Sequence, residues 1–224
     1  MDALGLLIAC CRYCYGAIDR PGIRAALGGV DAERLLTLSR RHRVQGLAWK
    51  ALREAGTRLS DEVEQGFRRD VQRIAGNGLR TAAESHRLHQ AFVASRIPLL
   101  FLKGQVLGRL AWSDPFLKDS VDIDLLVPER MVGKAARLLS ALGYEQSLPE
   151  PSVDPTDWHR RRKESLWRGP HLAVDLHSRV ADNRFLIPRI TATNPAEFIE
   201  IAPGVSLPTL RLPEQVAYLS VHGA

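Results

Sequence analysis

Apolar positions along this chain fall into two regimes. Over the first ninety-odd residues they recur three and four apart between Arg-rich intervals, the pattern of amphipathic helices. Residues 31–55 read as one helix, with Asp31 suited to its N-cap. Leu35, Leu36, Leu38, Val44, Leu47, Ala48 and Leu52 make its apolar face, and Gly56 its stop. Residues 60–75 read as a second helix opening at Ser60, with Asp61 and Glu62 in the first turn, where they suit the dipole. Gly76-Asn77-Gly78 is expected to break it, and 79–95 to form a third helix with Leu79, Ala83, Leu88 and Phe92 facing inward.

The pattern changes at Pro98. Leu99-Leu100-Phe101-Leu102 is a short continuous apolar run, the mark of a buried strand. Lys103-Gly104 closes it and a helix over 105–112 follows at once, then a turn at Asp114-Pro115. Val121 to Val127 reads as a second strand. A helix from Pro128-Glu129 runs to about Leu142, and Gly143 ends it. Residues 146–170, rich in Pro, Asp, Arg and Trp, read mostly as loop. His171 to Val180 is a third strand, Pro195 opens a short helix, Pro203-Gly204 is a turn, and 213–222 begin a further helix. The expected organisation is a helical N-terminal region (1–96), an α/β (α+β) core (97–210) and the start of a C-terminal helical part (211–224).

Composition narrows the class. The chain has 224 residues, 45% apolar and 25% charged, which excludes a disordered or collagen-like polypeptide. No apolar run approaches the roughly 18 residues of a membrane span, so no membrane partner is expected. Cys10, Cys11 and Cys14 are odd in number and clustered, which argues against a disulfide framework. Cys11-x-x-Cys14 lacks the second pair a zinc site needs, so buried thiols on a short helix are expected. The stretch before Cys10 carries Asp2 and no basic residue, unlike a signal segment. A reduced, cytoplasmic protein is the expectation. The formal charge is +6, and 26 of 31 basic residues are Arg. Arg excess suits an anionic partner, although a GC-rich coding sequence yields the same bias.

The chemistry concentrates in Val121-Asp122-Ile123-Asp124-Leu125-Leu126-Val127. Alternation on a strand puts Asp122 and Asp124 on one face, about 7 Å apart. Like charges there repel unless something neutralises them. A divalent cation does so, and Mg²⁺ takes carboxylate oxygens together with substrate phosphates. Val174-Asp175-Leu176 brings a third carboxylate on another apolar strand. If the strands are neighbours, three acids converge on one or two metals, the arrangement that serves in-line phosphoryl displacement. Upstream, strand 99–102 runs into Lys103-Gly104 and a helix. A helix N-terminus after Gly presents free N–H groups to phosphate, and Lys103 adds a charge.

These segments resemble a known family. Phe101-Leu102-Lys103-Gly104, Ser113-Asp114-Pro115, the Asp122–Val127 run and Val174-Asp175-Leu176-His177 are similar to the uncharacterised nucleotidyltransferase family of bacteria, within the DNA polymerase β-like superfamily. Arg41-His42-Arg43-Val44, Leu212-Pro213-Glu214-Gln215 and Val221-His222-Gly223-Ala224 also resemble it. The resemblance implies a polymerase β-like palm, a mixed sheet with flanking helices. It implies Mg²⁺-dependent transfer of a nucleotidyl group from an NTP, with two ions expected and Mn²⁺ the alternative. Carried over, Asp122 and Asp124 match the metal-binding pair, Asp175 the third acid, and Gly104 the glycine that opens the phosphate-contacting helix. Lys118 stands where the family often has Arg, Asp175 where it often has Glu, and Lys103-Gly104-Gln105 where the superfamily has Gly-Gly or Gly-Ser. The family commonly continues into further helices beyond Val221-His222-Gly223.

His177 and Arg179 follow Asp175 by two and four residues and are expected to meet triphosphate beside Lys103, Gly104 and Lys118, or to steady the metal ligands; the alternative is a pair of polar strand residues at the sheet edge. Arg160-Arg161-Arg162-Lys163, between Trp158 and Trp167, reads as a solvated loop, or as a clamp for nucleic acid or triphosphate. No G-x-S-x-G, Walker A or Rossmann glycine pattern occurs. The expected activity is transfer of an NMP group to an acceptor of unassigned class (small molecule, peptide, protein or RNA), with release of pyrophosphate. The alternatives are a non-catalytic nucleotide-binding or protein-interaction module on the same fold, and an RNA-binding or RNA-modifying protein.

Overall fold

A computed structural model describes residues 2–183 and 185–222. The chain divides into two compact units, Met1–Arg80 with Gly108–Ser120, and Thr81–Leu107 with Val121–Ala224.

The first unit is helical. Helices α1 (Ala3–Cys14), α2 (Arg20–Leu27) and α3 (Ala32–Arg41) open on the same device. Asp2, Asp19 and Asp31 each accept a hydrogen bond from the backbone N–H three residues on, satisfying a donor that the helix leaves unpaired. Their apolar faces meet α4 (Gln45–Glu54) around Leu6, Ile23, Leu35, Leu52 and Phe67. The cysteines are free: Cys10 is buried, with its thiol pushed up to about 12 by burial, and Cys11 and Cys14 are half-buried.

Two helical expectations change. Residues 31–55 form two helices, because Arg43 sits at φ 55, a left-handed backbone that cannot continue a right-handed helix. The break lets α4 start against the 117 segment. A Cβ on Gly46 would lie 2.0 Å from the Leu117 carbonyl oxygen, so only glycine permits that approach. Gly46→Ala is therefore expected to cost about 3 kcal/mol and to lower Tm by roughly 6–12 °C, read by thermal unfolding; an unchanged Tm would remove the close approach.

Gly76-Asn77-Gly78 does not break the chain. Helix α5 (Asp61–Ala94) runs through it for 34 residues. Gly78 is buried beside the Phe116 ring, where a Cβ would come within 2.6 Å of Cδ1, and the Asn77 amide donates to Asp119. The glycine serves packing, and the neighbouring turns offset its weak helix preference. Past it, Leu79 is 58% exposed and Ala83 is exposed. The inward face is Thr81, Ala82, Ser85, Leu88 and Phe92, so Leu88 and Phe92 face inward as expected and Leu79 and Ala83 do not.

The second unit is a mixed α/β layer. Its sheet has the order β1-β2-β5-β4-β3, from β1 (Leu100–Phe101), β2 (Asp122–Leu126), β3 (Glu145–Leu148), β4 (Glu164–Arg168) and β5 (Ala173–His177). β2 and β5 are parallel, and the other neighbours antiparallel. Helices α6 (Gln105–Trp112) and α7 (Val132–Ala141) follow β1 and β2 as expected.

Segment 146–170 is not mostly loop. It holds most of β3, the short helix α8 (Pro155–His159) and β4. Ser165 and Trp167 alternate inward on β4, and the strand pairs with β5 along its whole length. The buried Trp167 N–H donates to Ser165 Oγ, so this ring is core rather than a stacking platform for bases. Nor does Pro195 open a helix. Strand β6 (Glu197–Ala202) follows and turns at Pro203-Gly204 into β7 (Val205–Thr209). Helix α9 (Leu212–His222) closes the described chain. Gln215 Nε2 donates to the Leu102 carbonyl at 2.7 Å and Thr209 Oγ1 to the Phe101 carbonyl at 2.6 Å, tying α9 and β7 to the β1 segment. Among the described residues no helix is long and apolar enough to cross a membrane.

Candidate functional site

The parallel pairing of β2 with β5 decides the site. In its register Asp124 stands opposite Asp175, and Asp122 opposite Ala173. Directly paired residues of parallel strands share a face, and residues two apart on a strand do too. Asp122, Asp124, Asp175 and His177 therefore lie on one face of adjacent strands. Asp124, Asp175 and His177 each offer a ligand atom within 4.8 Å of the other two.

Asp124 is the hub. Its side chain is 4% exposed, and one oxygen, Oδ1, meets both Lys103 Nζ at 2.8 Å and His177 Nε2 at 3.1 Å. Burial opposes the carboxylate charge, but His177 and Lys103 outweigh it and hold its pKa down at about 2. Burial likewise opposes the Lys103 charge. Asp124 and then Tyr218 overcome it, and the ammonium is pushed up to about 12. Asp175 goes the other way: burial first, then the charges of Asp122 and Asp124, push it up to about 7. Asp122 is raised for the same reasons, burial and then Asp124.

Lys103 reaches the cluster from the turn that ends β1. Gly104, next to it, sits at φ 64, a conformation that favours glycine, and α6 starts at Gln105. The expected strand–Lys-Gly–helix turn thus forms beside the acids. Lys118 lies in the first unit, four residues before Asp122. Arg179 donates from Nη1 to the His159 carbonyl at 2.6 Å, and with Arg130 and Ser178 it lines a cavity of about 400 Å³.

Two groups at the cluster escape a reading of the sequence alone. Glu164 on β4 places Oε2 3.4 Å from His177 Nδ1, so the imidazole stands between two carboxylates. Its only signal was the alternation of Glu164-Ser165-Leu166-Trp167, masked by the charged run before it. Tyr218 on α9 is 1% exposed, with its ring centroid 6.0 Å from Lys103 Nζ. A tyrosine one turn from a helix end carries no signal of its own.

A family model described as uncharacterised nucleotidyltransferase matches residues 28–224. The chain belongs to that family. A search of curated proteins found no match. The mixed five-stranded sheet and N-terminal helices agree with a nucleotidyltransferase fold.

The cluster of this family member fits a divalent cation on its own chemistry. Burial and the charges of Asp122 and Asp124 push Asp175 up, so negative charge there is not fully offset, and ligand atoms of Asp124, Asp175 and His177 already converge. The carboxylate oxygens of Asp124 and Asp175 are of the kind that suits Mg²⁺, and Asp122 lies on the same face outside that group of three. Imidazole from His177 as a further ligand would shift the preference toward a metal such as Zn²⁺ or Fe²⁺.

Proposed function

We propose that this protein transfers a nucleotidyl group from an NTP to an acceptor hydroxyl or phosphate. The convergence of Asp124, Asp175 and His177 beside Lys103 carries the reading. The acceptor oxygen forms a bond to the α-phosphorus, the bond from that phosphorus to the bridging oxygen breaks, and pyrophosphate leaves. A Mg²⁺ or Mn²⁺ ion held by Asp122, Asp124 and Asp175 would stabilise the charge on the phosphates. As the third acid, Asp175 would complete the metal site on the attacking side and orient the acceptor group. His177 steadies Asp124 through Nε2, while Glu164 faces Nδ1. Lys103 supplies a point charge to phosphate, and the backbone N–H groups opening α6 after Gly104 supply donors.

The test is pyrophosphate release from each of the four NTPs against a mixed acceptor pool, with Mg²⁺ or Mn²⁺ and with chelator. Chelator-sensitive release is expected. NTP binding without release favours a nucleotide-binding module, and neither binding nor release overturns the reading.

A further inference from the structure

We propose that Tyr218 is a positioning residue for Lys103, which makes α9 part of the phosphate-binding apparatus. This rests on the function proposed above and adds a helix to it that supplies no acidic ligand.

Lys103 has a long, flexible stem, and an ammonium that must meet phosphate in one place needs restraint. Asp124 restrains it from one side at 2.8 Å. From α9, the Tyr218 ring faces it at 6.0 Å, within the range at which a cation is drawn to an aromatic face. The ring is itself held. It belongs to a buried cluster with Leu100, Leu102, Leu126 and Leu210, and His222, one turn on, packs on it at 5.4 Å. Gln215, three residues before Tyr218, hydrogen-bonds the carbonyl of Leu102, the residue preceding Lys103. Helix and lysine are therefore fixed to each other at the backbone as well as at the side chains.

The Tyr218 hydroxyl supports the same reading. It is enclosed, meets no group at full hydrogen-bond geometry, and its nearest hydrogen-bonding interaction is with Lys103. Phe would fill the same space without burying a hydroxyl, which is costly to enclose unless a partner such as Lys103 answers it. What it faces is charge, since both Lys103 and Asp124 act on it electrostatically. Packing alone explains the ring but not the hydroxyl.

The experiment is a double-mutant cycle read by calorimetry, with Mg-tripolyphosphate and MgATP as probes. Tyr218→Met keeps most of the volume and removes the aromatic face. It is expected to weaken both probes about tenfold when Lys103 is present, and less than twofold in a Lys103→Ala background. Tyr218→Phe keeps the ring and removes only the hydroxyl, so it reads the hydroxyl's share of the coupling, about threefold and dependent on Lys103, should the methionine variant fail to fold. A merely structural role predicts equal losses in both backgrounds; that result, or no loss with Lys103 present, overturns the proposal. If the unmutated protein binds neither probe, or Lys103→Ala binds both as tightly, the failure lies in the function proposed above.

Discussion

Asp124→Ala is expected to abolish metal-dependent turnover, by about a thousandfold or more, and to destabilise the protein. Both effects come from one oxygen. Oδ1 faces Lys103 and His177 together, so its removal leaves two cationic or polar groups without their acceptor. Breaking a buried ion pair from one side costs about 3–5 kcal/mol. The lower end applies here, because the Lys103 side chain is 25% exposed and can relax toward solvent. Asp124→Asn keeps the shape and an acceptor oxygen, so it is expected to lose turnover with a smaller stability loss. Denaturant unfolding and pyrophosphate release on both variants separate the two effects. Turnover surviving in either would remove Asp124 from the chemistry. The pH dependence has a definite sign. The folded pKa, about 2, lies below the ordinary 3.8, so the carboxylate stabilises the fold above about pH 4 and that contribution is lost as pH falls through 2.

Asp175→Asn is expected to do the opposite to stability while also ending turnover. Asp175 is raised from 3.8 to about 7 by burial and by Asp122 and Asp124. The native state therefore holds a proton that the unfolded chain releases. The penalty for ionising Asp175 is absent below about pH 4, grows as pH rises, and is complete above 7. Asparagine removes it. In chelator at pH 8 the variant should be more stable than the unmutated protein by about 2–4 kcal/mol, or roughly 4–16 °C in Tm, with a smaller gap at pH 5. The proton belongs to the cluster rather than to one acid, so Asp122 shares the effect. Thermal unfolding of both proteins at the two pH values checks it, and a gain over the unmutated protein no larger at pH 8 than at pH 5 would show that Asp175 is not held under this strain. A site kept at the expense of fold stability is what a group reserved for binding or chemistry requires.

Much of the site was legible because its signals are local. Asp122-Ile123-Asp124 on an apolar strand needs only the two-residue period of β-structure to place both acids on one face. Lys103-Gly104 between an apolar run and a helix needs only the conformational freedom of glycine, and φ 64 at Gly104 bears that out. Asp31 as N-cap, Gly56 as a stop at φ 68 and Gly143 at φ 90 were legible for the same reason.

What was not legible depended on partners distant in sequence. Gly76-Asn77-Gly78 spells a break, yet the helix continues because Phe116 needs the space at Gly78. Glu164-Ser165-Leu166-Trp167 looks like loop beside four basic residues, yet it is a strand because β5 offers it a full edge. The sequence by itself determined the helical N-terminal region, the apolar strands, the acids they carry and the glycine turn, since each follows from backbone preference and side-chain period over a few residues. Only the tertiary structure decided that β2 and β5 lie side by side in parallel, so that Asp124 meets Asp175 and His177. It alone brought in Glu164 from β4 and Tyr218 from α9. Strand order and register are settled by which buried surfaces fit together, and no local pattern encodes that.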